Sequence, residues 1–404
     1  MVEQADGRTA VRVLVVATIG FLVNFWAWAL IGPLGGAYGK ALGLTGVQQS
    51  VLVAVPVIVG SLGRIPVGAL TDRYGSRRMF PTVTVLTILP VLFIGFVADT
   101  YPAMLVGGFF LGLGGTAFAI GVPAVNQWFA PERRGTALGI FGLGMGGTAI
   151  SAFTTVRITD AYGHEAPFVL VACVLAVYAV VSALLLRDRP GRAAPQGSFL
   201  ARTWATARIP ATGQLSLLYA LGFGGFVAFS VYLPTYLVNA YDLTAADAAA
   251  RTAGFVVLAV VMRPVGGTLS DRVGPVPVLL VAFGAVTVLA LVAALELPLV
   301  PVATIAFLGL AAALGAASGA VFALVAQVAP ADKVGAVTGI VGAAGGLGGF
   351  FPPLVMGAAY DRVGDYSLGY VLLAATALAV ALFTWGPVRR AARLRAAQVT
   401  TTTS

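Results

Sequence analysis

Two arginines interrupt long apolar stretches of this chain, and each occupies the same place in a repeated pattern. Matching residues of the two stretches lie 199 positions apart. The stretches read Arg64-Ile-Pro-Val-Gly-Ala-Leu-Thr-Asp-Arg-Tyr-Gly75 and Arg263-Pro-Val-Gly-Gly-Thr-Leu-Ser-Asp-Arg-Val-Gly274. A guanidinium is always charged and presents a planar fork of donors to two oxygens of one anion. Because an arginine inside a membrane costs about 2.5–3.5 kcal/mol on insertion scales, it usually has a function. The pair therefore predicts a site for a small anion.

The composition predicts that the elements around these arginines lie in a membrane. Of the 404 residues, 59% are hydrophobic and 10% are charged, whereas a soluble domain has about 25% charged residues. The lone Cys173 lies in an apolar run and gives no disulfide framework. The first ten residues are polar, and no small-residue cleavage site follows the first apolar run, so we read that run as a retained span.

Twelve apolar runs are long enough to cross a bilayer, which takes about 20 residues. They predict an all-α membrane protein with twelve transmembrane helices in two pseudo-symmetric six-helix bundles. We expect an N-terminal bundle over 1–187, a cytoplasmic linker over 188–212, and a C-terminal bundle with a basic tail over 213–404. The predicted spans are 11–36, 48–71, 79–98, 101–128, 135–158, 166–187, 213–239, 247–270, 277–297, 300–328, 335–358 and 366–388.

The distribution of basic residues predicts the orientation of the chain. With both termini in the cytoplasm, eighteen of the 24 Lys and Arg residues fall in cytoplasmic segments, as the positive-inside rule requires. The basic balance therefore reflects topology in the inner (cytoplasmic) membrane, and we expect no nucleic-acid partner. The arginines of 389–395 are interpreted as an anchor on anionic lipid. We expect a monomer in the bilayer.

The first repeated stretch contains Gly68-Ala-Leu-Thr-Asp72-Arg73-Tyr-Gly75, and the second echoes it at Gly267-Thr-Leu-Ser-Asp271-Arg272-Val-Gly274. This pattern resembles the signature of the major facilitator superfamily, and the twelve spans in two repeats are similar to that superfamily over the whole chain. The resemblance implies a transporter whose site lies at the midplane and opens by rocking of the two halves. It assigns gating roles to Gly68, Asp72, Arg73, Asp271 and Arg272.

A narrower resemblance, to the nitrate/nitrite porter family, rests on the two arginines, on the glycine-rich runs 112–118 and 342–352, and on residues 219–226 of the seventh span. It implies that Arg64 and Arg263 bind the anion. It also implies that Tyr219, Phe223 and Phe118 line the site. We further expect Met145, Gly144 and Gly345 to belong to the substrate site.

One position departs from the family pattern. Met145 stands where that family has a substrate-contacting asparagine, and a thioether cannot donate a hydrogen bond; Asn126 is a candidate replacement. The substrate therefore stays open between nitrate or nitrite and another small anion such as cyanate, formate or a monocarboxylate.

The acidic residues bear on how transport is driven. All 15 lie in loops or at the ends of the predicted spans, whereas proton-coupled carriers usually have a titratable group within the membrane. We expect nitrate/nitrite exchange, with proton-coupled nitrate symport as the alternative. The same lack disfavours a drug/proton antiporter. One histidine, one cysteine and short loops disfavour an enzyme or a sensor, and we expect no catalytic residues, no metal and no cofactor.

Overall fold

The computed structural model of the chain describes residues 2–129, 131–189, 199–329 and 334–392, and these residues form helices and short connections without a strand. Twelve helical stretches are long and apolar enough to cross a membrane, which confirms the predicted all-α architecture. Residues 190–198 of the predicted linker and the basic tail from 393 onward lie outside the described residues. The twelve stretches are Gly7–Ala41, Gly46–Tyr74, Ser76–Phe96, Tyr101–Asn126, Ala137–Tyr162, Ala166–Leu185, Pro210–Tyr241, Ala245–Val273, Pro275–Ala294, Leu299–Val328, Ala336–Val363 and Ser367–Ala392.

Local breaks divide several of these stretches into shorter helices. The first ten helices are α1 Val2–Trp28, α2 Ile31–Ala41, α3 Gly46–Leu62, α4 Arg64–Tyr74, α5 Ser76–Phe96, α6 Tyr101–Leu111, α7 Ala117–Asn126, α8 Pro131–Gly142, α9 Gly147–Tyr162 and α10 Ala166–Leu185. The others are α11 Phe199–Ala207, α12 Pro210–Tyr241, α13 Ala245–Val273, α14 Pro275–Ala294, α15 Thr304–Val328, α16 Val334–Gly348, α17 Phe351–Val363 and α18 Ser367–Phe383.

Two glycine-rich breaks are 3-10 turns within the fourth and fifth spans. Gly112–Thr116 joins α6 to α7, and Leu143–Gly146 joins α8 to α9. A 3-10 turn within a longer helix often marks a hinge or a functional segment. The corresponding spans of the second half, which contain α15 and α16, have no such turn among their described residues.

Contacts divide the chain into two compact units. The first contains helices α1 to α10 together with residues 230–256, and the second contains residues 199–229 and the described residues from 257 onward. The predicted bundle boundaries at 187 and 213 stay a prediction.

The repeat seen in the sequence extends to the backbone. Gly75 ends α4 with φ 89° and ψ 153°, and Gly274 ends α13 with φ 87° and ψ 149°. Side chains rarely tolerate this positive φ, so each position requires glycine. The same turn therefore follows both signature stretches and starts the next helix one residue later.

In the first unit, the start of α5 is capped from a distant part of the chain. Asp188 accepts a 2.9 Å hydrogen bond from the backbone N–H of Ser76 and a 3.4 Å bond from that of Arg77. The indole of Trp128 donates to the carbonyl of Arg187 at 3.0 Å. The carboxylate complements the positive end of the helix, so residues 187–188 hold α5 directly after the signature stretch.

Candidate anion-binding site

Arg64 begins α4 and is only 6% exposed. Its Nε donates a 3.2 Å hydrogen bond to the carbonyl oxygen of Gly115, in the 3-10 turn of the fourth span. A Cβ on Gly115 would lie 2.8 Å from the Cα of Gly60 on α3, so only glycine allows the two backbones to approach this closely. The glycines thus place a carbonyl acceptor beside the guanidinium.

Phe118 lies next to the guanidinium of Arg64, with its ring centroid 5.2 Å from Cζ. Phe21 and Phe141 support this ring at centroid distances of 5.7 and 6.0 Å, and they stack on each other at 4.8 Å. Both supporting rings are fully buried. They fix the orientation of Phe118, which contributes a cation–π contact of about 0.5–2 kcal/mol.

Arg263, in the second unit, lies among three aromatic rings. Its Nη2 donates a 2.7 Å hydrogen bond to the hydroxyl oxygen of Tyr219. Its Cζ is 5.4 Å from the ring centroid of Phe223, 5.8 Å from that of Phe322 and 5.9 Å from that of Tyr219. The Tyr219 and Phe223 rings stack at 4.9 Å, and Phe322 meets Tyr219 edge-on at 4.8 Å. A permanent positive charge on a half-buried side chain therefore lies beside three aromatic rings and the Tyr219 hydroxyl.

Glycines on α13 and α15 set the position of Arg263. A Cβ on Gly319 of α15 would collide with the carbonyl of Arg263, and one on Gly315 would collide with the carbonyl of Ala259. Small residues four apart let two membrane helices pack backbone to backbone. This packing brings Phe322, one turn beyond Gly319, against the arginine.

Gly345 has a steric role beside Tyr219. A Cβ at this position would collide with the tyrosine ring. Three residues further along α16, a Cβ on Gly348 would collide with the carbonyl of Ala220. The glycine face of α16 therefore makes room for the ring of Tyr219, whose hydroxyl oxygen accepts the hydrogen bond from Arg263.

The remaining predicted substrate residues belong to the first unit. Gly144 faces α1, because a Cβ on it would lie 2.6 Å from the Cβ of Phe21. Met145 has a side chain that is 1% exposed, and its carbonyl accepts a 2.9 Å hydrogen bond from Thr148 Oγ1. Asn126 ends α7 and is half-buried. The structure thus groups Arg64 with Phe118, and Arg263 with Tyr219, Phe223 and Gly345.

The predicted gating residues lie at the ends of α4 and α13. Asp72 and Arg73 are exposed in the last turn of α4, and Arg73 Cζ lies 5.3 Å from the ring centroid of Tyr74. Asp271 and Arg272 are exposed in the matching turn of α13. A Cβ added to Gly68 would lie 3.9 Å from the Cβ of Ala119, which is an ordinary van der Waals distance, so a side chain at this position meets no steric conflict.

Sequence reasoning missed two parts of this arrangement. Phe322 lies in an apolar run where nothing in the sequence distinguishes it from core residues. The carbonyl of Gly115 is main chain and leaves no side-chain signal. The glycine run of the fourth span was the one signal for this contact. Glycines let neighbouring helix backbones approach closely, and a backbone carbonyl can then reach a side chain of the next helix.

Comparison with known proteins identifies the family. The sequence matches the family model described as Major Facilitator Superfamily over residues 17–353 and again over 252–401. It is 50% identical over 374 residues to the "Probable nitrate/nitrite transporter NarK2" of Mycobacterium tuberculosis, covering 92% of this chain and 95% of that protein. It is 36% identical to the "Nitrite extrusion protein" of Bacillus subtilis, covering 91% of each chain. The chain belongs to the nitrate/nitrite porter family of the major facilitator superfamily.

This membership confirms both resemblances seen in the sequence and identifies the porter as a multi-pass membrane transporter rather than an enzyme. Solved structures agree on the fold. A human transporter described as "organic anion transporter MFSD10 (TETRAN)" superposes with a TM-score of 0.71 at 15% identity, covering 93% of the porter and 99% of that chain. A bacterial homologue of the lysosomal transporter Spinster gives 0.70 at 17% identity, covering 93% and 96%. At these identities the likeness concerns the fold alone.

Proposed function

We propose that this porter carries nitrate and nitrite across the cytoplasmic membrane by alternating access, as an exchange of one anion for the other. Arg64 and Arg263 hold the anion. The observation that carries the proposal is the setting of Arg263, whose charge lies among three aromatic rings and beside the Tyr219 hydroxyl. The names of two relatives, a probable nitrate/nitrite transporter and a nitrite extrusion protein, support the choice of substrate.

The chemistry of this setting suits a flat anion of single charge. Nitrate presents its oxygens in one plane, and a guanidinium meets two of them with parallel N–H groups. A hydroxyl that accepts from an arginine can still donate its own proton to an anion. The rings around the arginine limit the access of water, which strengthens these bonds by lowering the local dielectric constant.

In this proposal, alternating access is driven by the positive charges of Arg64 and Arg263. Two guanidinium groups that share a site repel each other, and an anion between them offsets the repulsion. The occupied and empty sites then favour different helix positions. A ligand shifts a conformational equilibrium only through such a difference in affinity for the two states.

Exchange is favoured over proton symport by the acidic residues. All 15 Asp and Glu residues lie in loops or at the ends of the predicted spans, so the sequence offers no carboxylate deep in a span to carry a proton. Exchange of nitrate for nitrite is electrically neutral and needs no such group.

Transport by purified protein in liposomes tests the proposal. Vesicles are loaded with nitrite, nitrate or gluconate, and uptake of isotopically labelled nitrate is followed with the membrane potential clamped. We expect uptake into the nitrite- and nitrate-loaded vesicles, and no stimulation by an inward proton gradient. If the proton gradient drives nitrate uptake into gluconate-loaded vesicles, the mechanism is proton symport and the proposed exchange is wrong. Uptake of labelled formate or cyanate without any uptake of nitrate would show that nitrate is not the substrate.

A further inference from the structure

Helix α11 lies outside the twelve spans. It covers Phe199–Ala207 and is followed after a short turn by Pro210, where the seventh span begins. One side of α11 packs on α16 within the second unit. The buried Thr212 donates from Oγ1 to the carbonyl of Thr206 at 2.9 Å, which fixes the corner between α11 and α12. The short helix is therefore held in a defined position at the end of a membrane span.

The other side of α11 exposes a tryptophan next to an arginine. Trp204 is 61% exposed, and Arg208 is exposed one turn later. The guanidinium Cζ lies 5.0 Å from the indole centroid. A large aromatic side chain in water is unfavourable, whereas tryptophan is enriched where a protein meets the headgroup region of a bilayer. The exposed face of α11 is therefore suited to the bilayer interface, where acyl chains meet hydrated headgroups.

The same arrangement occurs a second time. All five tryptophans of the chain lie within the described residues, and Trp204 and Trp385 are the two that are exposed. Arg389 follows Trp385 by four residues, as Arg208 follows Trp204, and its Cζ lies 4.8 Å from the ring centroid. The spacing of four places tryptophan and arginine on one helix face. An arginine therefore lies on the ring of each exposed tryptophan.

The sequence of α11 and of the helix that follows carries charge of one sign. Residues 199–241 contain Arg202 and Arg208 but no Asp or Glu. Arginines next to a membrane span attract anionic phospholipid headgroups. The charge thus complements a phosphate-bearing lipid surface.

We infer that α11 is an interfacial helix whose Trp204–Arg208 face binds an anionic phospholipid. Arg208 pairs with the headgroup phosphate, and the Trp204 ring lies at the boundary between headgroups and acyl chains. A free anion would use the arginine alone and would leave the indole in water. The exposed ring and the adjacent span therefore favour a lipid over a dissolved phosphate.

Quenching of Trp204 fluorescence by brominated lipids tests this site. Full-length porter is placed in nanodiscs of phosphatidylcholine and phosphatidylglycerol, with bromine on the acyl chains of one lipid or the other. The signal of Trp204 is the difference between the wild type and Trp204→Phe. We expect stronger quenching by the brominated phosphatidylglycerol, and we expect Arg208→Gln to lower this preference about fivefold. Arg251→Gln, at an exposed arginine of α13, is the matched control and keeps the preference.

Three results would reject the lipid site. Equal quenching by the two brominated lipids, or a preference that survives Arg208→Gln, removes the role of the arginine. Absence of quenching by either lipid places α11 in water. Loss of the preference on addition of inorganic phosphate shows a site for the free anion.

Discussion

Arg263 donates a short hydrogen bond, 2.7 Å from Nη2, to the hydroxyl oxygen of Tyr219. The two residues come from different helices, α13 and α12, and the tyrosine ring is held between Phe223 and Phe322. The Tyr219 hydroxyl and the aromatic rings therefore help to position the arginine. Removing the hydroxyl while keeping the ring isolates the polar contact.

Tyr219→Phe is expected to weaken nitrate binding about tenfold, because a hydrogen bond to a charged group contributes about 1.5–3 kcal/mol. The stacking on Phe223 stays, so the folded protein is retained. Titration of purified protein with nitrate, followed by thermal shift, measures the change. Tyr236→Phe, at another buried tyrosine of α12, is the control. Unchanged affinity in Tyr219→Phe would show that the hydroxyl has no part in binding.

Arg64→Lys and Arg263→Lys are each expected to lower nitrate affinity about 10- to 100-fold. Lysine keeps the charge but loses the planar fork that binds two oxygens at once, and hydrogen bonds to charged groups are worth about 1.5–3 kcal/mol. Arg157→Lys is the control, because the half-buried Arg157 also lies on a ring, that of Phe153, but at another place in the chain. Wild-type affinity in either test variant would contradict a guanidinium site.

Gly345→Ala is expected to reduce transport strongly, because the new methyl group collides with the Tyr219 ring. Gly146 stands 199 positions earlier, and a Cβ built on it meets nothing within 4 Å, so Gly146→Ala is a matched control. Liposome uptake and thermal stability are measured for both variants. The steric account fails if Gly345→Ala transports as well as Gly146→Ala.

Asp72→Asn is expected to slow transport with little change in nitrate affinity. Asp72 is exposed in the last turn of α4, eight residues beyond Arg64, so it is placed to act on the movement of helices rather than on the anion. The expected result is a lower maximal rate at an unchanged KM in counterflow. Asp160→Asn, at an exposed carboxylate of α9, serves as the control. A large loss of binding in Asp72→Asn would place it in the substrate site instead.

Met145→Asn is expected to raise nitrate affinity about tenfold, since an amide donates a hydrogen bond that the thioether cannot. The side chain at this position is 1% exposed, so the gain depends on the anion reaching a buried amide. Met145→Leu keeps the apolar shape and is the control. Competition of nitrate with formate in both variants measures the selectivity. A fall in nitrate affinity in Met145→Asn would indicate that Met145 packs in the core of the first unit.

The sequence alone determined the architecture and the main candidates for the site. Apolar runs of membrane-spanning length have few alternatives to helices, because lipid offers no partner for unpaired backbone groups. A charged residue in such a run is conspicuous, so Arg64 and Arg263 were evident from composition. The 199-residue repeat also extended to the backbone, since Gly75 and Gly274 adopt the same unusual φ.

Only the tertiary structure decided what surrounds each arginine. The carbonyl of Gly115 reaches Arg64 because glycines let α3 approach the fourth span, and Phe322 reaches Arg263 because glycines of α15 let it pack on α13. These contacts depend on which helix faces meet. An apolar span offers little periodicity from which to infer those faces, because its lipid-facing and protein-facing sides are both hydrophobic. The sequence therefore identified the two charged residues, and helix packing determined the environment of each.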